Sequence, residues 1–179
     1  MSEFLKGIIF YFINHILNRF PSRRVRMFFY SRLSAGKISQ KASIGLGVKV
    51  LDIRNIKIGD FTNINFDSIL DGRGDGIEIG SNVDIAPQVN IWSLEHDPND
   101  STHASRSGKV IIEDNCWLAN RVTVLPNTYI EKGCVVGASS LVKGKYGLDE
   151  IVLGYKAQAK KKINAYEKRE QIKKLRVFR

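Results

Sequence analysis

Long apolar runs are missing from this 179-residue sequence. The most apolar stretch, residues 8–17, is interrupted by Asn14 and His15 and falls short of the ~20 residues that a membrane-spanning helix needs. It also lacks the basic leader and the small-residue cleavage site of a secretory signal. These absences argue against a transmembrane or secreted protein, so the sequence predicts a cytoplasmic location.

Cysteine is scarce, and the two cysteines of the chain, Cys116 and Cys134, lie eighteen residues apart. Two thiols without a third or fourth ligand do not make a structural zinc site. Free cysteines more often behave as small apolar residues that fill interior space. The sequence therefore predicts two buried thiols and no bound metal.

Acidic residues are scarce at both ends of the chain. Residues 1–37 hold seven Lys and Arg against one acidic residue, and residues 156–179 hold ten against two, whereas residues 38–155 hold eleven against fifteen. The formal net charge of +10 therefore comes from the two ends. The body between them has no basic excess of the kind that marks a nucleic-acid-binding domain, so no nucleic-acid partner is predicted.

The middle of the chain contains a repeat of six residues. Thirteen aliphatic residues begin hexads, and the fifth position of eleven hexads is small or β-branched. Neither an α-helix nor an alternating strand has this period, whereas three hexads make one triangular coil of a parallel β-helix, with coils stacked at ~4.8 Å. The leading aliphatics are Ile38, Ile44, Ile58, Ile64, Ile79, Ile85, Ile91, Ile112, Leu118, Val124, Ile130, Val136 and Val142, and the fifth-position residues are Ala42, Val48, Thr62, Ser68, Val83, Val89, Cys116, Val122, Thr128, Cys134 and Ser140.

The hexads predict an all-β core over residues 38–155, with about five coils and a helical segment at each end. Two slips interrupt the count, at residues 50–58 and at residues 70–79, where the sequence DGRGDG must bulge outward. Residues 92–111 are the largest departure and predict a polar loop ejected from one coil. The two cysteines lie one full coil apart and are expected to stack directly on each other.

Three stretches carry more than the bare repeat: INFDSILD (64–71), EHDPND (95–100) and VIIEDNCWLANRVTVLPNTYIEKGCVVGASSLV (110–142). They resemble the hexapeptide-repeat acyltransferases, a family that includes galactoside, maltose and serine acetyltransferases and the O-acetyltransferases of bacterial surface polysaccharides. The resemblance covers roughly residues 38–160. It implies a left-handed parallel β-helix that uses acetyl-CoA as co-substrate and assembles as a homotrimer, with sites at the subunit interfaces.

Acyl transfer from a thioester to a hydroxyl needs a base that takes the hydroxyl proton, and an imidazole suits this role at cellular pH. His96, in the EHDPND stretch, is therefore the candidate catalytic residue. Glu95, Asp97 or a backbone carbonyl could orient its ring, and the sequence does not decide between them. His103, in STHAS, matches nothing in the family and is interpreted as a solvated residue or a minor contact.

The resemblance also implies residues that bind the acceptor and the cofactor, with backbone N–H groups near Asn120 stabilising the oxyanion. Two departures from the family pattern are Ala119, where glycine is usual and where the extra methyl should narrow the groove, and Lys156, where proline is usual. The predicted substrate-binding residues are Asn65, Asp67, Asp71 and Glu95, and the predicted acetyl-CoA-binding residues are Trp117, Ala119, Asn120, Ala138, Ser139 and Lys143.

The predicted function is acetyl-CoA-dependent O-acetylation of a hydroxyl on a sugar or a surface-polysaccharide precursor. N-acetylation of a nucleotide-linked amino sugar and a non-catalytic scaffold role are the alternatives. A metalloenzyme of the γ-type carbonic anhydrase kind would need three histidines from the repeat body. Only His96 and His103 lie near such a position, and both are in one loop.

The two ends predict helices. Apolar residues at three- and four-residue steps over residues 4–20 indicate an amphipathic helix that ends at Pro21. This helix could cap the open end of the β-helix, where unpaired strand edges would otherwise face water. It could also contact an anionic membrane surface, which would place the protein peripherally at the inner membrane face. Residues 156–179 predict a basic C-terminal helix.

Overall fold

A computed structural model describes residues 3–154, whose strands form a three-sided prism. The strands are β1 Ser43–Ile44, β2 Lys49–Leu51, β3 Ile56–Ile58, β4 Asn63–Ile64, β5 Ile69–Asp71, β6 Ile77–Ile79, β7 Asp84–Ile85, β8 Asn90–Trp92, β9 Leu94–His96, β10 Ser105–Ser107, β11 Val110–Ile112, β12 Trp117–Leu118, β13 Thr123–Val124, β14 Thr128–Ile130, β15 Val135–Val136, β16 Leu141–Val142, β17 Lys145–Tyr146 and β18 Ile151–Val152. Face 1 has the strand order β1-β4-β7-β12-β15-β18, face 2 has β2-β5-β8-β13-β16, and face 3 has β3-β6-β11-β14-β17.

Each coil of the prism takes one strand from each face. Residues 3–154 therefore form five complete coils and begin a sixth with β18. All pairs within the three faces are parallel, as a solenoid with one strand per side requires. The β-helix predicted from the hexads is confirmed, and the predicted count of about five coils falls short by the partial coil.

The interior is filled by the two sets of residues that define the repeat. All thirteen leading aliphatics and all eleven fifth-position residues are at most 2% exposed. The register stacks equivalent side chains from coil to coil. One such column contains Ile44, Ile64, Ile85, Leu118 and Val136. Because each inward position repeats a similar shape, equivalent side chains stack on one another and form one continuous hydrophobic core.

The edge between face 1 and face 2 is a tight turn that places one residue per coil in the left-handed region. At Gly45, on this edge, an added Cβ would lie 2.8 Å from the backbone nitrogen of Phe66 in the next coil, so a larger residue would push the coils apart. The left-handed residues are Gly47, Asp67, Gln88, Arg121 and Ser139, with φ between 57° and 73°.

The two cysteines occupy neighbouring levels of the interior, as predicted. Trp117 pairs with Val135 across strands β12 and β15, so Cys116 and Cys134, which precede them, lie one coil apart. Both thiols are buried and free. Burial raises the pKa of Cys116 to about 11, which leaves it protonated and unreactive at neutral pH.

The largest interruption of the coils is a β-hairpin. Strands β9 and β10 pair antiparallel and lie between β8 of face 2 and β11 of face 3. The polar loop predicted over residues 92–111 is corrected at its ends, because Trp92 and Val110 belong to the coil, and its two arms are paired strands. The six-residue count detects only residues that face the prism interior, and the hairpin strands contribute no fully buried residue to that interior.

Helical segments close the N-terminal end of the prism. They are α1 Glu3–Tyr11, a π-helical turn Phe12–Ile16, a 3-10 turn Leu17–Arg19 and α2 Arg23–Leu33. The single helix predicted for residues 4–20 is wrong in detail, because the α-helix is followed by a π-helical turn and then by a 3-10 turn before Pro21. The wide turn contains Asn14, which is only 2% exposed.

Polar side chains from these helices pair with the free strand edges of the first coil. Asn14 Nδ2 donates to the Val50 carbonyl at 2.9 Å, and the Val50 N–H donates to Asn14 Oδ1 at 2.8 Å. Arg26, 5% exposed, donates from Nε and Nη2 to the Ile44 carbonyl at 3.2 and 3.1 Å. Of the two roles considered for the N-terminal segment, these contacts support the cap on the open end.

Within residues 3–154, no helix combines the length and the apolar character that crossing a bilayer requires. The basic C-terminal helix predicted for residues 156–179 lies outside the described residues.

Substitution of Asn14 tests the cap. Asn14→Leu keeps the side-chain size but leaves the N–H and the carbonyl of Val50 buried without partners, and each orphaned group costs about 1–3 kcal/mol. We expect the free energy of unfolding in urea to fall by about 2–6 kcal/mol. Asn99→Leu, at an exposed position, is the matched control and should change stability by less than about 0.5 kcal/mol. Equal effects of the two substitutions would contradict the capping role.

Candidate active site

The histidine of the EHDPND stretch lies on the hairpin. His96 is the last residue of β9, is exposed, and pairs with Ser105 across the antiparallel ladder. The hairpin leaves the prism at the edge between face 2 and face 3, which we call the hairpin edge. A side chain on this ladder is carried by a regular element rather than by a flexible loop.

A backbone carbonyl fixes the ring of His96. Its Nδ1 lies 2.6 Å from the carbonyl oxygen of His103. Because a carbonyl oxygen only accepts, Nδ1 must carry the proton, and in the neutral ring the lone pair then lies on Nε2. Of the three groups considered from the sequence, the carbonyl therefore orients the imidazole, and Glu95 and Asp97 do not.

Glu95 binds two cations. Its Oε1 accepts from Arg106 Nε at 2.7 Å and from Lys143 Nζ at 2.8 Å. Burial raises the pKa of the Glu95 carboxyl, but the hydrogen bonds and charges of Lys143 and Arg106 outweigh burial and lower the pKa below its ordinary value. The carboxylate is therefore ionised and already occupied, which argues against its predicted contact with the acceptor.

Lys143 follows β16, two coils beyond β8, so its bond to Glu95 ties the hairpin to the C-terminal end of the prism. The bond therefore links elements whose coils are separated by about 10 Å along the prism axis, at ~4.8 Å per coil. The predicted role of Lys143 in binding acetyl-CoA phosphates is not supported by this geometry, because its ammonium group is paired on the hairpin edge, away from the other residues predicted for the cofactor.

Asp71 supports the base of the hairpin. Its carboxylate is fully buried and forms two hydrogen bonds of 2.9 Å with Arg73. Its carbonyl accepts from both the N–H and the hydroxyl of Ser93, the residue where the hairpin begins. The expectation that Asp71 binds a sugar hydroxyl is therefore corrected, since a buried and ion-paired carboxylate cannot reach an acceptor.

The remaining predicted residues lie along the edge between face 1 and face 2, which we call the groove edge. Parallel pairing places Asn65, Ala119 and Gly137 at equivalent positions on different coils. The residues that follow them turn the corner, with Asp67 and Ser139 in the left-handed region. Those brought together along this edge are Asn65, Asp67, Ala119, Asn120, Ala138 and Ser139, with Trp117 about half exposed on the adjoining face 1.

Backbone groups on the groove edge differ in their availability. The Ala119 N–H donates to the Val136 carbonyl at 2.9 Å, and the Asn120 carbonyl accepts from the Ser139 N–H at 2.9 Å. Within residues 3–154, the N–H of Asn120 has no hydrogen-bond partner. Ala119 is 8% exposed, so its methyl group lies against the coil rather than projecting far into the groove.

The structure does not bring the two sets of residues together within one chain. Face 2 separates the hairpin edge, with His96, from the groove edge, with Asn120. The two edges are about five residues apart along a coil, roughly 15 Å at ~3.3 Å per residue. Within one chain, the two edges are therefore too far apart for His96 and Asn120 to contact the same acetyl group.

Arg106, Ser93 and Asp100 contribute to the hairpin and were missed in the sequence. Arg106 contacts Glu95 only because β9 and β10 pair in a particular register, and that register has no period-six signal. Ser93 donates to the Asp71 carbonyl of the preceding coil, and this contact between coils also has no period-six signal. Asp100 could have been found, since Asp two residues before Thr102 is typical of a side-chain-stabilised turn.

A parallel β-helix whose inward residues repeat in sixes defines the class of hexapeptide-repeat β-helix proteins. Residues 109–144 match the bacterial transferase hexapeptide family (six repeats). A putative lipopolysaccharide biosynthesis O-acetyl transferase, WbbJ of Escherichia coli K12, is 36% identical over 118 residues, which cover 62% of this chain and 59% of the relative. Galactoside O-acetyltransferase of Lactococcus lactis is 33% identical over 114 residues, covering 62% and 55%.

Solved structures give the same class. A hexapeptide-repeat acetyltransferase of Vibrio cholerae, complexed with acetyl coenzyme A, has a TM-score of 0.71 and 25% identity, covering 83% of this chain and 80% of that one. A maltose O-acetyltransferase of Clostridium difficile has a TM-score of 0.75 over 91% and 90% at 24% identity, which shows the fold alone. The chain spans less than two thirds of the length of the curated relatives that it matches. The resemblance to the hexapeptide-repeat transferases that the sequence predicts is confirmed by these matches.

Proposed function

We propose that this protein is an acetyl-CoA-dependent O-acetyltransferase that acts on a hydroxyl of a sugar or a surface-polysaccharide precursor. The observation that carries this proposal is the hydrogen bond between His96 Nδ1 and the His103 carbonyl. With Nδ1 donating to this carbonyl, Nε2 of the exposed imidazole is free to accept a proton. The named activities of the relatives that share the repeat support the choice of acetyl transfer.

The reaction begins when His96 Nε2 accepts the proton of the acceptor hydroxyl as its oxygen attacks the thioester carbonyl carbon. The carbonyl oxygen becomes an oxyanion in the tetrahedral intermediate. The carbon–sulfur bond then breaks, the sulfur leaves with its electron pair, and the proton on Nε2 passes to the thiolate. The products are an acetyl ester and free coenzyme A, and the imidazole returns to its neutral form.

The groove edge provides the groups that this reaction needs beside the base. The N–H of Asn120, which has no partner among residues 3–154, would donate to the oxyanion, a type of contact worth about 3 kcal/mol in the transition state. Acetyl-CoA would lie along Trp117, Ala138 and Ser139. Asn65 and Asp67, lower on the same edge, would bind the acceptor.

A homotrimer would complete the site. Three prisms arranged about a threefold axis place the hairpin edge of each chain against the groove edge of its neighbour, and the ring closes without an exposed copy of either edge. Separation of His96 from Asn120 by the whole of face 2 within one chain supports this arrangement.

A peripheral position at an anionic membrane surface would bring the enzyme to acceptors built on lipid carriers. Helix α1 exposes Phe4 (79%), Ile8 (49%) and Tyr11 (60%), which contribute to an apolar groove on its outer side. Contiguous apolar surface of this kind marks an interaction site. The net charge of residues 1–37, with seven Lys and Arg against one acidic residue, and the exposed Arg24 favour an anionic bilayer as the partner.

Removal of the proposed base gives the first test. His96→Ala should lower the rate of acetyl-CoA consumption by about 10²- to 10⁴-fold, measured as free thiol released in the presence of an acceptor. The oligomer and its affinity for acetyl-CoA should remain. His15→Ala, at a histidine stacked on Tyr11 in the N-terminal cap, is the control and should keep full activity. A His96→Ala enzyme with near wild-type turnover would refute the proposed base.

Mixed oligomers test whether the site is shared. The trimer should have three times the 20.2 kDa chain mass by light scattering. His96→Ala and Ala138→Arg, which blocks the exposed groove edge, should each be inactive alone. Co-assembled from equal amounts, they should recover up to about a quarter of wild-type activity, because about one interface in four pairs an intact hairpin with an intact groove. Complete absence of recovery in verified mixed trimers would place both edges of a site in one chain.

Vesicle sedimentation tests the membrane surface. The full chain should sediment with vesicles that contain anionic lipids at low salt and should be released as salt screens the charges. Ile8→Glu should weaken this binding several-fold, whereas Leu148→Glu, at a similarly exposed apolar residue near the other end of the prism, should leave it unchanged. Failure of the full chain to bind at low salt would refute the membrane contact.

A further inference from the structure

The tip of the hairpin, residues 97–104, is a turn organised around one carboxylate. Asp100 Oδ1 accepts from the backbone N–H of Thr102 at 2.7 Å, from the Thr102 hydroxyl, and from the N–H of Ala104 at 3.2 Å. The Asp100 carbonyl accepts from the His103 N–H at 3.2 Å. A single side chain therefore contacts the residues on both sides of His103.

His103 has a backbone conformation that needs such support. Its φ is +58°, in the left-handed region that most residues with a side chain avoid. Hydrogen bonds on either side of the residue hold it there. This conformation turns the His103 carbonyl toward the hairpin ladder, where it meets His96 Nδ1 at 2.6 Å.

The carbonyl rather than the ring of His103 makes this contact. The two imidazole rings are 6.1 Å apart between centroids and meet edge to face, too far for a hydrogen bond to decide the position of a proton. The side chain of residue 103 is therefore replaceable, provided that the new residue tolerates the left-handed conformation.

We propose that Asp100 is a positioning residue, whose carboxylate holds the turn that aims the His103 carbonyl at His96 Nδ1 and so fixes the tautomer with a free Nε2. The importance of this tautomer for catalysis depends on the function proposed above, but the control of the tautomer does not. A neutral imidazole that loses the carbonyl can carry its proton on either nitrogen, and the form protonated on Nε2 cannot act as the base.

The Asp100 carboxylate remains charged under the conditions in which the enzyme would act. The hydrogen bond from the Thr102 hydroxyl, followed by those from the backbone N–H groups of Thr102 and Ala104, lowers the pKa of its carboxyl. Charged acceptors form the stronger hydrogen bonds to N–H groups. This strength suits a turn that must hold one residue in a strained conformation.

The tautomer can be read directly by NMR. The chain contains three histidines, so ¹⁵N-histidine labelling of the full-length protein gives three side-chain patterns, and His15→Gln and His96→Gln assign them. Wild-type His96 should show the pattern of the Nδ1–H form. In Asp100→Ala it should become a mixture of both forms. Retention of the pure Nδ1–H form in folded Asp100→Ala would overturn the proposal.

Three further variants separate the carboxylate, the carbonyl and the ring. Asp100→Asn keeps an acceptor oxygen and should retain the wild-type pattern, and its failure to do so would also overturn the proposal. His103→Asn tolerates the left-handed region and should retain the tautomer, whereas His103→Val, with a β-branched side chain, should disturb it as Asp100→Ala does. His103→Val provides the test if Asp100→Ala does not fold.

Kinetics connect the tautomer to turnover. In Asp100→Ala, kcat should fall by about tenfold or more, since small displacements of a catalytic group have large effects, while KM for acetyl-CoA should stay within about twofold. Asp100→Asn should restore kcat. If wild-type His96 shows the Nδ1–H form but the protein consumes no acetyl-CoA with any acceptor, the proposed function fails and the positioning role stands.

Discussion

Parallel backbone pairing between successive coils is the constraint on which the rest of this structure depends. A strand of two or three residues cannot be stable alone, because it makes few hydrogen bonds for the entropy lost in ordering it. Stacked coils share their bonds with a neighbour on each side, and the inward aliphatics exclude water from the ladder. The six-residue repeat in the sequence follows from this constraint, because each side of the prism must contribute its own buried residue.

The same constraint makes the prism a rigid base for the hairpin. Contacts at two heights hold the hairpin, through Ser93 at the coil below and through Lys143 at a coil above. Its tip is held separately by Asp100. The coils and these polar contacts together give His96 a defined position. Under the proposed function this matters, because a catalytic base displaced by one ångström can lose much of its rate.

Period and composition were sufficient to predict the coils, because every inward position follows the same rule. Eleven small fifth-position residues and thirteen aliphatics are all buried, and the stacked cysteines follow from an eighteen-residue spacing. The hairpin obeys a different rule. Contacts such as Arg106 with Glu95 depend on cross-strand register, and the burial of Asp71 depends on a bulge in the coil. His96 was found by its motif, whereas its carbonyl partner required the turn to be seen.

The helical cap also bears on the order in which the chain can acquire its structure. A coil has no template until its neighbour exists, but the side chains of Asn14 and Arg26 offer the first strands the donors and acceptors of a missing neighbour. Segments leave the ribosome from the N-terminus onward, so the cap is available before any coil. Each new coil can then pair with the coil before it. The strand edges of the growing chain therefore do not stay unpaired until distant parts of the polypeptide have been made.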